Sequence, residues 1–228
     1  MSKILKLAYG MEKSEGFNYR LAMEEASRCL LCEDAPCSKG CPAGTDPAKF
    51  IRSLRFKNIK GAAETIRENN PLGGSCAWVC PYDRMCEEEC SRCGIDKPIQ
   101  IGKIQRYLVE EEQAMSAKFV SAGNKIGKKV ALIGAGPASL ACARELALAG
   151  VDTTVFEKQA KAGGVLRYGI TPTRLSDRVV DFDIELIKEL GVKFEFGKEI
   201  KFEDIPKLKS EYDAVFVGVG LWESKKVA

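Results

Sequence analysis

Apolar positions change their period part-way along this chain, and the change divides it in two. From Tyr19 the spacing is helical: Leu21, Ala22, Ala26 and Leu30 recur at intervals near four, which predicts a helix that delivers Cys29 and Cys32 at its end. Residues 35–47, with prolines, glycines and polar side chains, read as a loop wrapped round a ligand. Asp46 has the character of an N-cap with Pro47 at the first helical position. Phe50, Ile51 and Leu54 form the buried stripe of that helix, and Ala62, Ala63 and Ile66 that of the next, which Asn69 to Gly74 breaks. A further helix is expected from about Pro98 to Glu112, with Ile101, Ile104, Tyr107 and Leu108 inward. Met1 to Phe17 shows no clear periodicity and is expected to lie over the surface of another part.

Beyond a linker near Ala117 to Gly127 the grammar changes. Lys129 to Ile133 reads as a buried parallel strand, followed by a glycine-rich turn and an alanine-rich helix to Leu148. Thr153 to Phe156 is a second strand, Asp177 to about Leu190 a helix, and Val192 to Phe196 and Ala214 to Val219 are further strands. The fold class expected is an all-helical domain over residues 1–125 followed by part of a Rossmann-like α/β domain over residues 126–228.

Composition narrows the function. The 228 residues carry 35 basic and 32 acidic side chains and are 45% apolar, which suits a globular protein of one or two domains. No apolar run approaches the roughly 20 residues needed to span a bilayer, and a net charge of +3 gives no argument for nucleic acid. Arg52, Arg55, Lys57 and Lys60 make a local basic stretch that reads as a solvated helix face. Histidine is absent, which removes the usual general base and the usual imidazole ligand, so hard chemistry falls to cofactors. No side chain is assigned as a general acid or base.

Nine of the ten cysteines lie in one 65-residue window: Cys29, Cys32, Cys37 and Cys41-Pro42, then Cys76, Cys80-Pro81, Cys86, Cys90 and Cys93. Disulfides would suit a small secreted domain, but Met1 to Phe17 carries no charged-then-apolar leader, and cytoplasmic thiols stay reduced. Structural zinc usually shows two separated C-x2-C pairs. The first run instead ends in Cys-Pro, like the C-x2-C-x2-C-x3-C-P run of bacterial ferredoxins with one interval lengthened. Two iron-sulfur clusters are the better reading, and a cysteine at the end of one run can serve the other cluster. Burial as a small hydrophobe suits Cys142 and fits the other nine badly.

The second chemical motif is Gly134-Ala135-Gly136-Pro137-Ala138-Ser139 between strand and helix, with Glu157 following 23 positions after the first glycine. That is a dinucleotide fingerprint in its proper context. Gly134 permits the tight turn, Gly136 lets the backbone approach a pyrophosphate at the helix N-terminus, and small Ser139 allows close helix-to-strand packing. Glu157 can accept hydrogen bonds from a ribose. Lys158, Gly163, Gly164 and Arg174 are further candidates for nucleotide contact, with a surface charge as the plain alternative for Arg174.

The order of these parts, Glu25 to Cys32, Glu68 to Gly73, Cys80-Pro81, then Gly134 to Ser139, resembles the FAD and iron-sulfur half of dihydropyrimidine dehydrogenase, most closely the bacterial NAD-dependent small-subunit type. The glutamate synthase small subunit shares the layout. The resemblance, from about Leu21 to Leu221, implies one 4Fe-4S cluster on Cys29, Cys32, Cys37 and Cys90 and a second on Cys41, Cys80, Cys86 and Gln105, leaving Cys76 and Cys93 spare. It implies FAD contacts at Val79, Gly134 to Ser139, Glu157, Val165, Arg174 and Ile200, although the proline before Arg174 is shifted relative to the family pattern. It further implies a cytoplasmic electron-transfer component that takes electrons from NAD(P)H and hands them to a pyrimidine-reducing, FMN-containing partner subunit in a hetero-oligomer. The family's nicotinamide-binding segment has no counterpart in these residues, so NAD(P)H is expected in a longer chain or a partner. The alternatives are a glutamate synthase-like oxidoreductase part, or a cluster-holding docking module.

Overall fold

The computed structural model describes residues 16–221, so most of the expectation for Met1 to Phe17 lies outside it. Two compact units emerge, one of residues up to Val120 together with 172–183, the other of residues 121–171 and those from Ile184 on.

In the first unit every described element before Val120 is an α- or 3-10 helix. Asn18 caps the helix Tyr19–Ser27 by accepting from Leu21 N. This helix stops short of the cysteines, and Leu21 and Leu30, expected inward, are 43% and 46% exposed. Its buried residues are Ala22, Glu25 and Ala26, the small alanines letting the helix lie close against the neighbouring helix Pro47–Arg55. The expected loop over 35–47 contains a short helix, Pro36–Lys39, with proline at its first position. Asp46 does cap Pro47–Arg55, accepting from Lys49 N at 2.9 Å. Phe50, Ile51 and Leu54 then meet Ile66 of the helix Ile59–Asn69 and Ile104 and Leu108 of the helix Ile101–Met115 in one core.

That last helix begins three residues later than Pro98, and its first turn is satisfied from a distance. Glu25 Oε1 accepts from Gln100 N at 2.8 Å and Glu87 Oε1 from Gly102 N at 3.0 Å. Burial pushes the Glu87 carboxyl above its ordinary value. Of the basic stretch, Arg52, Lys57 and Lys60 are exposed as expected, but Arg55 is half-buried and donates from Nη1 to Cys29 O at 2.8 Å.

The second unit holds a four-stranded sheet in the order β3-β2-β1-β4, with β1 Lys129–Ile133, β2 Asp152–Glu157, β3 Lys193–Phe196 and β4 Ala214–Val217. Every pairing is parallel, with Ile133 opposite Phe156 on one side and Val217 on the other. Parallel neighbours need crossovers, and the helix Pro137–Leu148 supplies the one from β1 to β2. Part of the expected linker is tied into this unit: Gly123 N donates to Ala147 O at 3.0 Å and Ile126 N to Gly150 O at 3.1 Å. Cys142, expected as a buried hydrophobe, is only half-buried on that crossover helix. Among the described residues no helix is long and apolar enough to cross a membrane.

Candidate functional site

The chain turns sharply between the first two thiols. Leu31 takes a left-handed φ of 56°, unusual outside glycine, so Cys29 and Cys32 flank a tight bend just past the first helix. Cys37 sits on the short helix Pro36–Lys39, and Cys90 arrives from far along the chain, immediately before the 3-10 turn Ser91–Gly94. These four thiols line one cavity, whose apolar wall is made by Leu30, Ile51, Ile99 and Ile101. Burial pushes the Cys37 thiol up to about 11, with Cys90 and Cys29 adding to the effect. The Cys32 thiol lies 3.4 Å from Ser91 Oγ, and Arg92 Nη1 donates to Arg28 O at 2.6 Å beside it.

A second thiol group adjoins the first. Cys86 is 6% exposed, and burial pushes its thiol up to about 12, with Glu87, Cys41 and Cys37 contributing. Cys80 ends the helix Gly73–Val79, and its thiol is lowered by a hydrogen bond from Cys76, against burial and the neighbouring Cys86 and Cys41. Cys76 is raised correspondingly. Gln105 is buried on the helix Ile101–Met115, which packs against Gly73–Val79, so it is not the exposed glutamine an amphipathic pattern would suggest. Its Nε2 donates to Gly73 O at 2.8 Å. A carbonyl can only accept, so the amide must turn its NH2 toward Gly73 and its Oε1 the other way. Cys93 is exposed, with its thiol 3.5 Å from Glu87 O.

All ten cysteines are free thiols. Burial makes the Cys37 and Cys86 thiols resist ionisation unless a cation neutralises them, and thiolates are the ligands of iron-sulfur clusters. The soft, all-sulfur first set with its apolar wall has the donor chemistry of an iron-sulfur cluster.

In the second unit the nucleotide turn lies at the carboxyl end of β1, where the sheet order reverses, the usual ligand crevice of such folds. Gly134 has φ +88°, and a Cβ there would sit 2.7 Å from Gly218 O. Pro137 opens the helix with Gly136 as its N-cap. Ser139 is fully buried and faces Gly218, where an added Cβ would meet Ser139 Oγ at 2.1 Å. Ala138 is exposed on the outer side of the helix start. Glu157 is buried: Oε2 accepts from Ala135 N at 2.7 Å and Oε1 from Gln159 N at 2.8 Å. An ionised carboxylate offers about four lone-pair sites, so acceptor capacity remains for a ribose.

The Gly163-Gly164 pair mates with the first turn, which the sequence did not reveal. Gly163 N donates to Ala135 O at 2.9 Å, and a Cβ on Gly164 would lie 2.7 Å from Gly136 Cα. Both have positive φ, 129° and 51°, so the two turns can nest only as glycines. Val165 starts the short helix that follows and is 60% exposed. Gly134, Glu157, exposed Lys158 and Ile200 line one cavity, together with Lys198, Glu199 and Val219, which no motif had singled out. Val79 and Arg174 belong to the first unit, where exposed Arg174 donates from Nη2 to Val79 O at 3.3 Å.

Comparison with known proteins shows what these two regions resemble. Residues 8–117 match the model for dihydropyrimidine dehydrogenase domain II, 4Fe-4S cluster, and residues 132–187 match that for an NAD(P)-binding Rossmann-like domain. The amino-terminal region is thus similar to the dihydropyrimidine dehydrogenase 4Fe-4S domain family. The chain is 50% identical over 211 residues to the NAD-dependent dihydropyrimidine dehydrogenase subunit PreT of Salmonella typhimurium strain LT2, covering 92% of this chain and 51% of that protein. PreT of Escherichia coli O157:H7 gives the same identity and coverage, and PreT of Escherichia coli K12 is 49% identical over the same span. The chain thus spans about half the length of these curated PreT relatives. A solved structure, histamine dehydrogenase from Rhizobium sp. 4-9, covers 47% of this chain and 16% of its own at TM-score 0.39 and 32% identity.

Proposed function

We propose that this chain is the cluster and flavin portion of an NAD(P)H-dependent dihydropyrimidine dehydrogenase, passing electrons between FAD and a pyrimidine-reducing, FMN-containing partner subunit in the cytoplasm. The observation that carries the reading is the gathering of Cys29, Cys32, Cys37 and Cys90 on one apolar-walled cavity, with Cys41, Cys80 and Cys86 adjoining it. FAD and two 4Fe-4S clusters would supply the redox chemistry, the flavin taking an electron pair and the clusters carrying electrons singly.

The chain's own residues bind and orient. Cys29, Cys32, Cys37 and Cys90 hold one cluster, and Cys41, Cys80, Cys86 and Gln105 Oε1 the other, with the neutral amide making the second donor set less charged and harder than the first. Gly134 to Ala138 and the nested Gly163-Gly164 turn bring backbone close to the FAD pyrophosphate, while Glu157 receives its ribose hydroxyls. Lys158, Val165 and Ile200 would flank the nucleotide. The apolar wall lowers the polarity on one side of the first thiol set, which strengthens charge interactions there.

The test is anaerobic reduction of the FAD-loaded chain. Bleaching of the flavin by limiting dithionite, followed by cluster signals in low-temperature EPR as electrons leave the flavin, is the expected result. A chain that shows cluster signals but neither retains FAD nor exchanges electrons with it would be a cluster-holding docking module.

A further inference from the structure

The helix Gly73–Val79 is tied down at its start by a carboxylate from more than a hundred positions further along. Asp183 is fully buried. Its Oδ1 accepts from Gly74 N at 3.1 Å and from Arg67 Nη1 at 2.8 Å, and its Oδ2 from Ser75 N at 2.7 Å and Ser75 Oγ at 2.8 Å. Arg67 is buried as well and donates from Nε to both carboxylate oxygens of Glu112, at 3.0 and 2.9 Å, and from Nη1 to Pro71 O at 3.0 Å. Its guanidinium carbon lies 5.6 Å from the ring centroid of Phe182. All these groups belong to the first unit, since residues 172–183 pack with it.

Such a network is a poor way to gain stability, because desolvating three ionisable groups offsets most of their attraction. What it does well is fix one geometry. Every acceptor direction of Asp183 is used on Gly74, Ser75 and Arg67, and a Cβ on Gly74 would lie 2.8 Å from Asp183 Oδ1, so the helix start cannot slide. The same turn presents Gly73 O, which holds the Gln105 amide at 2.8 Å. The other end of the same helix is Cys80. One seven-residue helix therefore sets two of the four side chains assigned above to the second cluster, and Asp183 sets the helix.

We propose that Asp183, held by Arg67 and Glu112, is a positioning residue that places Cys80 and Gln105 for the second cluster. The inference rests on the ligand reading above, and it makes residues 172–183 a required part of the cluster-binding unit although they lie outside the family match at residues 8–117. The first cluster's thiols do not depend on this helix, so its properties serve as an internal reference.

The experiment compares Asp183→Asn, Ser75→Ala and Gln105→Ala in the full chain, purified anaerobically, by iron content, low-temperature EPR and midpoint potential. Asp183→Asn turns an amide NH2 toward N–H donors and should cost the second cluster, iron falling from about eight to about four per chain, with the first signal intact. Ser75→Ala removes one bond to Asp183 and spares the backbone pair. It should retain iron while shifting the g-values and potential of the second signal alone, the signal that Gln105→Ala also alters. If Asp183→Asn does not fold, Ser75→Ala decides. Should Gln105→Ala change the second signal while Asp183→Asn folds with both signals at parental values, or while Ser75→Ala moves neither, the positioning role is overturned and the ligand reading stands. Unchanged signals in Gln105→Ala would overturn the ligand reading instead.

Discussion

At the residue scale the buried carboxylate of Glu157 does two jobs. It braces the nucleotide turn through Ala135 N and Gln159 N, and it faces the cavity of Gly134 and Ile200. Glu157→Ala should weaken FAD binding roughly 10- to 100-fold, the equivalent of about 1.5 to 3 kcal/mol for a charge-assisted bond. A fluorescence titration with FAD reads this directly, and unchanged affinity would remove Glu157 from the ribose. The thiols give a second residue-scale expectation. In cluster-free protein Cys37 is pushed up to about 11 and Cys86 to about 12 from an ordinary value of 9.0. The folded state then binds the proton more tightly than the unfolded chain, so the stability these thiols contribute is fully present below pH 9.0 and is lost as pH rises through 11 and 12. The denaturation midpoint of iron-free protein should fall across that window, and a flat midpoint would mean that the thiols are not buried together. The identity of these residues was legible in the sequence because cysteine crowding and a glycine fingerprint are rare patterns. The second role of Glu157 was not, since a carboxylate's partners depend on where two distant turns meet.

At the scale of elements the sequence showed which stripes face inward but not how closely helices approach. Ile101, Ile104, Tyr107 and Leu108 are all buried as their period predicts. Leu21 is not, because Ala22, Glu25 and Ala26 make the buried face of the first helix, and Leu30 is not, because it lies beyond that helix's end. The helix carrying Gln105 is likewise set by contacts that no periodicity carries. Gly102 packs against Tyr82, whose ring would lie 2.2 Å from an added Cβ, and Glu25 and Glu87 satisfy the first turn in place of a local cap. Gly102→Ala should therefore destabilise the chain by about 1 to 3 kcal/mol through overpacking, despite alanine's better helix propensity. Chemical denaturation measures the change, and a neutral or stabilising result would show that the Tyr82 ring yields freely. The nested turns at Gly134 and Gly163-Gly164 follow the same logic, since each glycine was visible and their contact was not.

At the scale of the whole molecule, linear reading expects a boundary and the structure shows an exchange: residues 172–183 pack with the helical unit although they follow the nucleotide turn in sequence. The signal is the buried pairing of Arg67 with Asp183, a charge pair across 116 positions that no local pattern reveals. The similarity to PreT extends over 92% of this chain and half of the relatives' length, so it covers both units. The central claim, however, is that two sets of side chains hold iron-sulfur clusters. The most direct measurement is the iron and acid-labile sulfide content of the anaerobically purified chain. About eight of each per chain, as two 4Fe-4S centres require, is the predicted result, and one or two zinc ions with no sulfide would contradict it.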